Sequence, residues 1–192
     1  IFDLTAPGFA VTRAITGLQA GENILGIDMR PATGQLYALG SSSRLYTINM
    51  SSGAAAAVGT APFTTLLSGT SFGFDFNPTV DRIRVVSNTG QNLRLDPNTG
   101  LVAAVDGTLN PGTPAVSSAA YTNNFAGATT TALYVIDVAT DKLYIQNPPN
   151  NGTLVEVGAL GINISADNGF DIGGRSGKAY GLFSIGSLTK LY

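Results

Sequence analysis

The sequence predicts an all-β protein: a β-propeller of four-stranded antiparallel blades, about four to five of them, incomplete at both ends. Three observations predict it. A segment type recurs every 47 residues or so, about the length of a propeller blade. Each recurrence is followed by three further short runs rich in Leu, Val, Ile and Tyr. No segment carries a sustained 3.6-residue apolar period with caps, so almost no helix is expected. A β-sandwich is the alternative, since short strands with turns look alike in both; the blade-length period favours the propeller.

The recurring segment is Leu25-Gly-Ile-Asp-Met-Arg-Pro31. It returns as Phe72-Gly-Phe-Asp-Phe-Asn-Pro78, more loosely as Ala119-Ala-Tyr-Thr-Asn-Asn124, and again as Asn168-Gly-Phe-Asp-Ile172. In the first unit the strands that follow are Gln35–Leu39, Arg44–Asn49 and Ala54–Val58. The second unit has Arg82–Val86, Asn92–Leu95 and Leu101–Val105. The third has Ala132–Ile136, Lys142–Gln146 and Thr153–Val157. Turns such as Pro31-Ala-Thr-Gly34 and Pro97-Asn-Thr-Gly100 separate them, with Pro presetting φ and Gly accepting positive φ. This gives blades 24–59, 71–107 and 116–158, a partial blade 167–192, and a partial blade 1–17. In the last of these, Ile1–Leu4 and Phe9–Ile15 read as third and fourth strands lacking the first two.

Composition removes whole chemistries. The 192 residues contain no His, Cys or Trp. Ser-His-Asp triads, thiol nucleophiles, disulfides and His/Cys zinc sites are therefore excluded. An Asp pair, a Ser–Lys dyad or an oxygen-ligated metal such as calcium remain. A net charge of −2 with 11% charged residues offers no basic surface for nucleic acid. No apolar run reaches the roughly 18 residues of a membrane span. The chain starts at Ile1 without a leader pattern, so a removed leader or a longer parent chain is expected. Sequons at Asn49, Asn151 and Asn163 add little, since a chain this rich in Asn, Ser and Thr makes them by chance.

Four groups of residues are candidate sites. Asp28, Asp75 and Asp171 hold one repeat position, with Thr122 in the third unit. On a channel-lining first strand they would form a polar ring, and the three carboxylates with backbone carbonyls would suit calcium. The alternative is local: an Asp near a turn accepts backbone N–H groups. Arg82 and Arg84, with Arg94 nearby, form either an anion or acidic-glycan site or cross-strand ion pairs with Asp81 and Asp96. The tyrosines at 37, 46, 134, 144, 180 and 192 are sugar-stacking platforms or inter-blade packing. Phe125, centred in the insertion 123–131, would be the contact residue of a binding loop. Gly26, Gly73, Ala120 and Gly169 permit close approach of neighbouring strands.

The strings 26–39, 68–87 and 146–154, among them Ser-Gly-Thr-Ser-Phe-Gly-Phe-Asp-Phe-Asn-Pro-Thr-Val-Asp-Arg-Ile-Arg-Val-Val-Ser, resemble the domain of unknown function 4394 family over nearly the whole chain. The resemblance implies bacterial, exported, propeller-like proteins, some with C-terminal surface-sorting segments, and so an extracellular or cell-surface location. It implies no activity and no site residues. Members usually extend further at both ends, so the chain looks trimmed. The functional expectation is a non-enzymatic extracellular structural or binding module. Its partner would be a glycan or the protein itself, assembled as a ring or filament by terminal strand exchange. The alternative is an Asp- and calcium-dependent hydrolase or lyase at the propeller channel.

Overall fold

The computed structural model describes residues 8–192. It is a β-propeller of four antiparallel sheets with one 3₁₀ turn, Pro149–Asn151, and no α-helix among the described residues. Blade 1 contains β1 (Ile24–Arg30), β2 (Gln35–Gly40), β3 (Arg44–Ile48) and β4 (Ala55–Val58). Blade 2 contains β5 (Phe72–Asn77), β6 (Arg82–Ser87), β7 (Asn92–Asp96) and β8 (Leu101–Val105). Blade 3 contains β9 (Val116–Tyr121), β10 (Leu133–Asp137), β11 (Lys142–Gln146) and β12 (Leu154–Ala159). Among the described residues blade 4 contains three strands, β13 (Asn168–Ile172), β14 (Ala179–Ile185) and β15 (Leu188–Leu191). The strand expected at Ile1–Leu4 lies outside the described residues. Residues 9–15 carry no strand, contrary to expectation; the parallel bridge Thr16–Ala54 anchors this stretch beside β4.

Burial follows radius. First strands face neighbours on both sides, so β5 is buried along Phe72–Phe76. Outer strands have one face in water, and β8 alternates exposed and half-buried residues, the period of 2 expected of a one-sided strand. The hairpin turn after each first strand needs a left-handed residue. Gly34 fills it in blade 1 with φ 71°, its N–H bonded to Arg30 O at 2.8 Å. Asp81 fills it in blade 2 with φ 51°, a conformation Asp tolerates better than most.

Three apolar cores join the blades in sequence. Tyr37, Leu39, Phe74, Phe76, Val85 and Leu95 pack between blades 1 and 2. Val86, Val116, Tyr121, Val135 and Leu154 pack between blades 2 and 3. Ile136, Ile164 and Phe183 pack between blades 3 and 4. Among the described residues no such cluster joins blade 4 to blade 1.

At the inner end the packing repeats. A Cβ on Gly26 would lie 2.6 Å from Phe74 Cβ of blade 2, and one on Gly73 would lie 2.7 Å from Ala119 of blade 3. Hairpin register shows that the equivalent residues are Gly26, Gly73, Ser118 and Gly169, paired with Leu39, Val86, Ile136 and Leu182. A Cβ on Gly169 would meet nothing within 4 Å. Gly73→Ala is therefore expected to lose about 1–3 kcal/mol through overpacking, and Gly169→Ala to lose nothing measurable. Urea denaturation of both variants checks the contrast.

Candidate functional site

The register also fixes the carboxylate ring. Asp28 lies opposite Tyr37, Asp75 opposite Arg84 and Asp171 opposite Tyr180. In blade 3 the residue opposite Tyr134 is Ala120, so the expected placement of Thr122 in the ring is corrected. Thr122 lies past the end of β9, with its N–H on Ala132 O at 2.9 Å and its Oγ1 accepting from Ala132 N at 2.8 Å. It closes the neck of the 122–132 loop.

Each channel Asp that can reach the next blade does so. Asp28 Oδ2 accepts the Phe76 N–H at 2.8 Å, and Asp75 Oδ2 accepts the Tyr121 N–H at 2.7 Å. Phe76 and Tyr121 are the residues just after Asp75 and Ala120, so the two struts are equivalent. Where the preceding position offers no carboxylate, the Asp turns onto its own strand. Ile172 N donates to Asp171 Oδ1 at 2.6 Å, since blade 3 has Ala120; Met29 N likewise donates to Asp28 Oδ1 at 2.6 Å.

Asp28 and Asp75 also hydrogen-bond to each other. Burial pushes the Asp75 carboxyl well above the usual carboxylate range, and the facing Asp28 adds to this. Burial beside a second carboxyl thus favours the protonated form within the pair. Burial also pushes Asp28 up to about 6, against the Asp75 and Phe76 donors that favour its charged form. A carboxyl raised on folding binds more protons in the native state than in the unfolded chain between its unfolded and folded values. Stability must then fall as pH rises from about 4 through about 6 and beyond. Asp75→Asn keeps a donor for Asp28 and removes one ionisable group. The variant should match wild type near pH 4 and exceed it in stability at pH 8. Denaturation curves at the two pH values check this.

Calcium was the metal expected at Asp28, Asp75 and Asp171. Among the described residues no group of three or more acidic side chains is placed to hold a metal ion. The oxygens of Asp28 and Asp75 already receive N–H donors from Met29, Phe76, Tyr121 and Asn124.

The three carboxyls sit in a cleft of about 440 Å³ between blades 4 and 1. Its walls are Ile27, Met29 and Leu36 on one side and Phe170, Leu182 and Leu191 on the other. Ile27 is 57% exposed and Met29 37%, whereas their counterparts Phe74 and Phe76 are 6% and 0%. Leu182 is 45% exposed, whereas Leu39, Val86 and Ile136 are fully buried. The inter-blade surfaces are thus present on both lips of this junction and are not packed together.

The arginines lie elsewhere, between blades 2 and 3. Arg84 is buried, with Nη1 on Asp106 Oδ2 at 2.6 Å and Asn92 Oδ1 at 2.7 Å, Nη2 on Asn150 Oδ1 at 2.8 Å, and Nε on Tyr121 OH at 3.3 Å. Arg94 grips the same carboxylate with two bonds of 2.7 and 2.8 Å. Burial alone would raise the Asp106 carboxyl, but the bonds from Arg94 and Arg84 hold it below its ordinary value. Arg82 pairs with Asp96 at 3.4 Å. Of the two readings of Arg82 and Arg84, an anion site or ion pairs, the contacts follow the ion pairs, with Asp106 as the partner of Arg84 instead of Asp81. Phe125 is half-buried under the Arg175 guanidinium, 4.9 Å from its ring centre. Its neighbour Asn124 abuts Gly174, where a Cβ would lie 2.2 Å from Asn124 O, so the loop clasps blade 4. Tyr37, Tyr46 and Tyr121 are buried packing residues; of the tyrosines only Tyr180 lines the junction cleft.

Among solved structures, the glutaminyl cyclase of Myxococcus xanthus matches with a TM-score of 0.54 at 14% identity, over 83% of this chain and 70% of that one. An auxiliary nutrient binding protein from Bacteroides thetaiotaomicron VPI-5482 matches with a TM-score of 0.51 at 13% identity, over 83% of this chain and 45% of that one. At such identities the likeness is one of fold. No curated protein sequence matches the chain. No helix among the described residues is long and apolar enough to cross a membrane. The repeat, the blade register and a family model spanning residues 1–192 agree, and the chain belongs to the family described as Domain of unknown function (DUF4394).

Proposed function

We propose that this protein is a non-enzymatic extracellular module that binds a polypeptide partner at the open junction between blades 4 and 1. The observation that carries this reading is the pair of exposed lips. Ile27, Met29 and Leu182 occupy positions that are buried at the filled junctions. Exposed apolar surface of this kind marks an interaction site. The β15 edge supports the same reading. The third strands β3, β7 and β11 each carry an outer strand, while β15 ends its sheet among the described residues, and such an edge accepts an added strand from a partner. This is the surface through which terminal strand exchange would act.

The cleft walls are largely aliphatic, which favours a polypeptide over a glycan. The hydrolase reading draws on the raised Asp28–Asp75 pair, the usual way to keep an acid protonated at neutral pH. That pair is spent on inter-blade struts, which makes binding the stronger reading.

A fluorescent, backbone-cyclised hairpin copying residues 71–88 is the probe. It should bind the wild-type chain at high dilution and fail to bind Ile27→Asp. Absence of binding to wild type, or equal binding to both, would overturn the reading. Strong signals on a glycan array that Ile27→Asp abolishes would replace it with sugar binding.

A further inference from the structure

We infer that the inner end of the propeller channel holds a subsite for one phenol ring, which the polypeptide partner presents as a tyrosine side chain. The inference rests on the junction reading above and adds the chemistry of the partner's anchor.

A cavity of about 190 Å³ lies where all four first strands meet. Its apolar walls are Leu25 and Ile27 of β1, Phe72 and Phe74 of β5, Ala119 of β9 and Phe170 of β13. It shares Ile27, Phe74, Gly169 and Phe170 with the open cleft between blades 4 and 1, so the two adjoin. Ser118 and Asn168 also line it. Ser118 stands at the register position held by Gly26, Gly73 and Gly169, so it puts a side-chain hydroxyl where the other blades have only a hydrogen.

Both of these polar residues are incomplete. Ser118 is 5% exposed. Its Oγ and Asn168 Oδ1 are buried and have no hydrogen-bond partner among the described residues. A buried polar atom left so costs about 1–3 kcal/mol, and each one calls for an explanation. The amide of Asn168 is oriented by its other end. Nδ2 donates to Ser117 Oγ at 2.8 Å, Ser165 O at 2.9 Å and Ala166 O at 3.3 Å. An amide oxygen turned to that side would face two carbonyls. The atom left over is therefore an acceptor in need of a donor, while the Ser118 hydroxyl can give or take.

Size and walls select the rest of the ligand. An apolar cavity of about 150 Å³ is enough for benzene, so this one, at about 190 Å³, takes a single substituted ring. Three phenylalanines offer that ring aromatic contacts. A hydroxyl on it donates to Asn168 Oδ1 and accepts from Ser118, completing both. A bare phenyl group would leave both atoms unpartnered, and an indole N–H would donate but accept nothing. An ammonium would bring three donors and a charge into walls that carry no carboxyl. Asp28 and Asp171 in the adjoining cleft disfavour a phenolate, so the ring keeps the proton it donates.

The test is NMR titration of the whole chain with p-cresol, which is the tyrosine side chain cut at Cβ, and with toluene, the same ring without its hydroxyl. Blocked tyrosine and blocked phenylalanine (N-acetyl amides) form the second arm. p-Cresol should bind at least roughly tenfold more tightly than toluene, with nuclear Overhauser contacts to the rings of Phe72, Phe74 and Phe170. Blocked tyrosine should show the same preference over blocked phenylalanine. Ser118→Ala removes an unpartnered hydroxyl, so its denaturation midpoint should not fall, while the preference for p-cresol should shrink severalfold. No binding of p-cresol, equal binding of p-cresol and toluene, or a preference unchanged by Ser118→Ala would overturn the subsite. p-Cresol binding without blocked-tyrosine binding would overturn the tyrosine and assign the ring to a free phenol. The hairpin of residues 71–88 separates the two readings: its binding without that of p-cresol rejects the subsite alone, and p-cresol binding without hairpin binding rejects the junction reading and leaves the ring site.

Discussion

Replacing Arg84 by Ala is expected to destabilise the fold by about 3–5 kcal/mol, the usual loss when one member of a buried ionic network is removed. The guanidinium is 1% exposed and ties two blades together. It bonds Asn92 and Asp106 of blade 2 and reaches Tyr121 and Asn150 of blade 3. Removing it leaves a cavity and strips the acceptors of Asn92 and Asn150 of a charged donor. Arg84→Lys should rescue little, since one ammonium cannot reproduce the planar fork of bonds. Arg94→Ala should lose under about 2 kcal/mol, because its side chain is about a third exposed and Arg84 still holds Asp106. Urea denaturation of the three variants gives the ranking. Because Asp106 is held below its ordinary value, the network's contribution is present above about pH 4 and is lost as pH falls through the lowered folded value.

Phe76→Ala is expected to lose a similar amount, about 3–5 kcal/mol. Phe76 is fully buried and meets Tyr37 edge-to-face, with centroids 5.2 Å apart at 72°. It lies in the core between blades 1 and 2, and its N–H is the one that Asp28 accepts. The same truncation at the equivalent position of blade 1, Met29→Ala, should change stability by well under 1 kcal/mol, because Met29 faces the open junction. Against the roughly 5–15 kcal/mol of a typical domain, the first change brings the protein near its unfolding threshold and the second is silent. Thermal and urea unfolding of the two variants checks the asymmetry.

The blade repeat was legible because strand pairing is local. Each hairpin joins segments a few residues apart, and turns such as 31–34 and 97–100 announce themselves by Pro and Gly. The close approach expected at Gly26 and Gly73 is present for the same reason: a glycine in a strand interior marks a neighbour's backbone. Gly169 reads identically in sequence, yet among the described residues nothing lies within 4 Å of where its Cβ would be. The third ring position was misplaced because Ala120 follows Asp75 by 45 residues whereas Asp75 follows Asp28 by 47, so an even spacing lands two residues late, on Thr122. That the arginines form ion pairs was legible, but the partners of Arg84 were not. Asp106 takes the place of the expected Asp81 or Asp96, and the acceptor Asn150 lies 66 residues away, in a turn whose Pro and Gly account for it without any further role.

The central claim, that the junction between blades 4 and 1 is open on the isolated chain, is tested most directly by thiol labelling. The chain has no cysteine, so Ile27→Cys carries a unique thiol whose reaction rate follows its exposure. In dilute solution it should react about as fast as Leu66→Cys, a position 62% exposed, and far faster than Val85→Cys, which is fully buried. Protection as complete as that of Val85→Cys at every dilution would show the ring closed on itself and would contradict the account.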